Sequence, residues 1–115
     1  MMIEETIINW FNQAQGEGLP KAYMMRPEAA PQKYILIEKT GSRKQNHIKA
    51  STFAFQSYAP TLLEAAELNE QVKETVEGMI ELDEITAIGL NSDYNFTNTA
   101  NKQPRYQAVY NITHY

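Results

Sequence analysis

Between Thr61 and Met79 the apolar and small residues Thr61, Ala65, Leu68, Val72, Thr75, Val76 and Met79 recur at helical spacing. They span an arc of about 100° on a helical wheel, while Glu67, Glu70, Glu74, Glu77 and Glu81 fill an arc of about 80° almost opposite. Such a helix has one face that must be buried and one that must stay wet. It therefore demands a second apolar layer, and the rest of the chain has to supply it. Pro60, followed by Thr61 and Glu64 at capping-box spacing, marks where the helix begins.

The second layer reads as strands. Tyr34-Ile35-Leu36-Ile37 is rich in β-formers and runs into Thr40-Gly41-Ser42, a turn signal. Residues 47–58 place Phe53 and Phe55 on one face and Ile48, Ala50, Thr52 and Ala54 on the other, the pattern of a strand inside a sheet. Together the two segments predict a hairpin with a long basic tip. Ile85–Leu90 predicts a short strand, and Arg105–His114 alternates cleanly. Residues 91–103, polar around Tyr94 and Phe96, form either a hairpin arm or a loop. Ahead of all this, Ile3, Ile7, Trp10, Phe11 and Ala14 predict an amphipathic helix over 2–15, stopped by Gly16 and Gly18. A short strand is also expected near Ala22–Arg26. The expectation is a single α+β domain over 1–115, in the order α, two or three β, α, β, β. Two helices pack against a mainly antiparallel sheet.

Composition narrows the function. With 115 residues and 43% apolar content, one core forms without help from disulfides or metal. The absence of cysteine excludes thiol nucleophiles and cysteine-based zinc sites. A net charge of −4 disfavours broad nucleic-acid binding. The apolar runs are too short for a membrane helix, and the acidic start Met1-Met2-Ile3-Glu4-Glu5 does not resemble a secretory signal.

Motifs that carry chemistry are missing. His47 and His114 stand on separate strands without a ligand at metal spacing. Asn91, Asp93 and Asn95 imitate the start of a calcium loop, but Phe96 replaces the turning glycine and Lys102 the bidentate glutamate. Gly41-Ser42-Arg43-Lys44 lacks the spacing of a phosphate loop. No catalytic, metal or cofactor residue is expected.

Charge, by contrast, is sorted. Lys33, Lys39, Arg43, Lys44 and Lys49 face only Glu38 in their segment, a local +4, whereas 64–84 carries eight acids against Lys73. Two patches of opposite sign at different places suit a head-to-tail contact between identical subunits.

Three stretches also carry a family likeness. They are Gln56-Ser57-Tyr58-Ala59 leading into Leu62, Ala65, Ala66 and Leu68; the Asn91, Asp93-Tyr94-Asn95-Phe96 loop; and the terminal Arg105-Tyr106-Gln107-Ala108-Val109-Tyr110 with Ile112 and His114-Tyr115. Together they resemble the small tail-terminator, or tail-completion, proteins of long-tailed phages and prophages of Gram-positive bacteria. The resemblance implies an α+β, non-enzymatic virion protein of the tail or neck, assembled in the host cytoplasm, with no cofactor. It implies a ring, hexameric in expectation, that caps the tail tube, stops polymerisation of the major tail protein and meets the head-tail connector. On the residues themselves, Glu67, Glu70, Glu74 and Glu77 are the candidate ridge for a neighbour's Arg43, Lys44 and Lys49. Tyr94 and Phe96 are the candidate anchors on the tail tube. Two other readings stay open: a head-completion or connector protein, and a single-stranded nucleic-acid module stacking bases on Tyr34, Phe53 and Phe55.

Overall fold

The computed structural model describes residues 2–13, 18–97, 100 and 103–115. The elements are α1 (Ile3–Gln13), β1 (Ala22–Tyr23), β2 (Tyr34–Gln45), β3 (Ile48–Tyr58), α2 (Leu62–Gly78), a 3-10 turn (Met79–Glu81), β4 (Ile85–Asn95) and β5 (Arg105–His114). One five-stranded sheet has the order β1-β2-β3-β5-β4. Only β1 pairs in parallel, with β2; every other pairing is antiparallel. The chain is α+β, with three strands before α2. The strand β3 lies at the centre, as its two apolar faces require.

Both helices cover one face of this sheet, called the front here. Ile7 and Phe11 of α1 and Leu68, Val72 and Val76 of α2 close over Ile35, Ile37, Phe53, Phe55, Tyr110 and Ile112. Phe11 stacks on Phe55 with ring centroids 5.4 Å apart. The helix α2 starts where its cap was expected: the Thr61 hydroxyl accepts from the Glu64 N–H at 3.2 Å. After β3 the chain crosses through α2 to β4 on the edge, and β5 returns between them, a split βαβ unit. On the back, Tyr34, Leu36 and Tyr58 form a smaller buried cluster with Tyr23 and Ala30 against them. Tyr34 and Tyr58 stack at 4.4 Å.

Three expectations change. The turn is not at Thr40-Gly41-Ser42, because β2 runs through it and Gly41 marks only a shift of register after Lys39. The reversal comes at Asn46-His47, with φ of 50° and 68°. Two successive positive φ values define the I′ turn that matches strand twist, and Asn and His enter that region more readily than most residues. The strand expected over Ile85–Leu90 continues to Asn95, so the polar segment is a hairpin arm at least that far. The strand near Ala22–Arg26 shrinks to Ala22–Tyr23. Helix α1 is described to Gln13; Ala14 and Gly16 lie outside the described residues.

Candidate functional site

The acidic ridge exists as a surface. Glu67, Glu70, Glu74 and Glu77 are all exposed along α2, while Ala65, Leu68, Val72 and Val76 are buried beneath. Its four carboxylates are not equivalent. Glu70 pairs with Lys73 at 3.1 Å, and Glu77 accepts the Tyr110 hydroxyl at 2.8 Å. Glu67 and Glu74 have no ion partner among the described residues.

Lys73 reaches down from the ridge to Asp93 of β4 at 2.6 Å, and the buried Asn69 donates to the same carboxylate at 2.6 Å. The hydrogen bond to Asp93, more than any other contact, raises the Lys73 pKa above its ordinary 10.5. Burial pushes the Tyr110 phenol well above its ordinary 10.0, and the bonded Glu77 carboxylate adds to the shift.

The basic hairpin also exists, with Arg43, Lys44 and Lys49 exposed. Register divides them. Lys44 stands directly opposite Lys49, and Lys49 opposite His114, so these three share the front face. Arg43 stands opposite Ala50 and belongs to the back. Among the described residues, the ion pairs are Lys33–Glu64, Lys39–Glu4, Lys73–Glu70 and Lys73–Asp93. None joins the ridge to the hairpin within one molecule.

Beside the Lys44–Lys49 pair lies a concavity of about 550 Å³ between the hairpin and the start of α1. Its floor holds an unanticipated pair, Ser51 Oγ 2.9 Å from His114 Nε2. His114 Nδ1 sits 3.1 Å from the Tyr115 carbonyl oxygen. With Nδ1–H donating there, Nε2 accepts from the serine. Both side chains are buried, at 2% and 4% exposure, which suits a clamp between β3 and the end of β5. The sequence signal was the position of His114 on the buried face of β5, in phase with Tyr110 and Ile112. Among the described residues, no group of three or more His, Asp or Glu could hold a metal ion.

Tyr94 and Phe96 end the hairpin arm, each about two-fifths exposed. Their rings meet edge to face at 5.6 Å, and the Arg105 guanidinium lies 4.3 Å over Phe96. A chain of hydrogen bonds crosses the back of the sheet to reach them. Arg105 donates to Tyr58 Oη (2.8 Å), Tyr58 to Gln56 (2.9 Å), Gln56 to Gln107 (3.0 Å) and Gln107 to Tyr94 Oη (2.6 Å). Sequence reading overlooked this chain, although Gln56 and Gln107 are polar residues in otherwise core-forming strands. The network draws on all three stretches that carry the family likeness. Tyr34, Phe53 and Phe55, by contrast, are fully buried, so no base can stack on them.

A comparison with models of known protein families gives no match, and none of the curated proteins is significantly similar. Among the described residues, no helix is long and apolar enough to cross a membrane.

Proposed function

We propose that this chain is a structural subunit of a phage tail, a terminator that forms a ring on the tail tube and stops its growth. It acts by surface contact rather than by catalysis, takes no cofactor, and presents its other side to the head-tail connector. One observation carries the reading above the others: among the described residues Lys44 and Lys49 lack an acidic partner, Glu67 and Glu74 lack a basic one, and the two sets occupy different parts of one small domain. Contacts of this kind are heterologous, and six of them close a hexameric ring when the rotation permits. Exposed ion pairs contribute under about 1 kcal/mol each, so here they select the partner and its register rather than supply most of the affinity.

The opposite end of the sheet supports the tube contact. There Tyr94 and Phe96 lie at the end where α2 begins with the exposed Leu62 and Leu63, the Ala59 N–H bonding to the Pro104 carbonyl close by. Rigid aromatic side chains on a fixed arm anchor protein interfaces well.

Deletion of the gene in the parent phage, followed by electron microscopy, tests the proposal. A terminator's loss leaves overlong tubes and unattached heads. Tails of normal length that merely lack heads would assign the chain to the connector instead.

A further inference from the structure

The hairpin carries an electrostatic conflict. Lys44 and Lys49 are a directly opposed cross-strand pair of like charge, an arrangement that weakens a hairpin unless an anion lies between the ammonium groups. No carboxylate of the described chain pairs with either one. Both border the 550 Å³ concavity, whose wall also carries Lys39, Arg43, Ser42 and the buried Ser51. Lys39 is held by Glu4 at 3.6 Å, and Arg43, Lys44 and Lys49 stand against Glu84, so side-chain cations exceed side-chain carboxylates around the cleft.

We propose that this cleft receives the outer carboxylates of α2, Glu67 and Glu74, from a second copy of the chain. The occupant follows from charge complementarity, since among the described residues neither Glu67 nor Glu74 has an ion partner in its own molecule. They stand seven residues apart, about 10 Å along the helix axis. Lys44 and Lys49 stand opposite each other in one row of the hairpin, about 5 Å apart between Cα atoms. Flexible lysine stems absorb that difference. The inference rests on the head-to-tail ring proposed above and makes it specific: Lys44 and Lys49 on one copy meet Glu67 and Glu74 on the next.

The test uses two full-length variants, K44E/K49E and E67K/E74K, compared by sedimentation at low and high salt. Each alone sets like charge against like charge at every contact and self-associates at least about tenfold more weakly than wild type at low salt. Mixed in equal amounts, they make every contact attractive again in an alternating assembly, and association returns to near the wild-type level. The proposal is overturned if the mixture associates no better than its separate components. Should either double variant melt early, the single variants K49E and E74K repeat the mixing experiment with the same criteria. The two readings fail separately. Restored association with normal tails in the deletion phage keeps this contact and removes the terminator, whereas overlong tails without restoration do the reverse.

Discussion

Trp10 of α1 is fastened to α2 through Thr75: its indole Nε1–H donates to the Thr75 carbonyl at 2.8 Å. The same ring lies 3.4 Å from the point where a Cβ on Gly78 would stand. This contact sets the spacing of the two helices over the sheet. Gly78 has φ −65° and ψ −20°, ordinary helical values, so an added methyl meets the indole at van der Waals distance without backbone strain. Gly78→Ala is expected to raise stability by about 0.5–1 kcal/mol. Trp10→Phe, which strands the carbonyl and removes volume, is expected to cost about 2 kcal/mol. Urea unfolding of the two variants checks both signs.

The hairpin turn makes a second pair of expectations. His47→Gly relieves a side chain held at φ 68° and should stabilise by about 0.5–1 kcal/mol. Gly41→Ala should be nearly neutral, because a Cβ there meets nothing within 4 Å. A large cost at Gly41 would return the reversal to Thr40-Gly41-Ser42. Thermal melts of the two variants decide between the turns.

How much of this was legible beforehand follows from what each residue can show by itself. The faces of α2 and β3 were visible because burial imposes a period, and Phe53 and Phe55 are fully buried as that period requires. The continuation of β4 through Asn95 was hidden, since on an exposed edge strand only Ile85 is buried and no alternation is enforced. Gly41 misled because glycine marks turns and bulges alike. Asn69 is buried at a polar position only because Asp93, 24 residues later, is its partner. The division of Arg43 from Lys44 and Lys49 needed the register, which the misplaced turn obscured. Of the candidate site, the residue types and exposure were readable and the pairing geometry was not.

Alkaline stability gives a third prediction. Tyr110 and Lys73 both hold their protons more tightly in the folded chain than their ordinary values of 10.0 and 10.5. The unfolded chain therefore releases these protons first, and stability falls as pH rises past about 10. Below that both contributions are fully present. Tyr110→Phe should cost about 1 kcal/mol at pH 8 through the lost bond to Glu77. It should also flatten the decline above pH 10. Chemical denaturation across pH 8 to 11 measures the slope, and an unchanged slope would show that the Tyr110 phenol does not drive it.

The hairpin arm should separate folding from docking. Phe96 is 39% exposed and leans on Arg105 and Tyr94. Phe96→Ala should therefore cost under about 1 kcal/mol of stability. If it anchors the tube contact, the same variant should lose most of its binding to tail tubes in a pelleting assay. Binding equal to wild type would remove Phe96 from that surface.

For the proposed terminator role, the most direct measurement is the length distribution of tail tubes polymerised in vitro from the major tail protein encoded beside this gene, with increasing amounts of this chain present. Capping by a ring predicts shorter tubes as the amount rises, with extra density at one end of each tube in electron micrographs. Tubes of unchanged length and bare ends at every ratio would contradict the account.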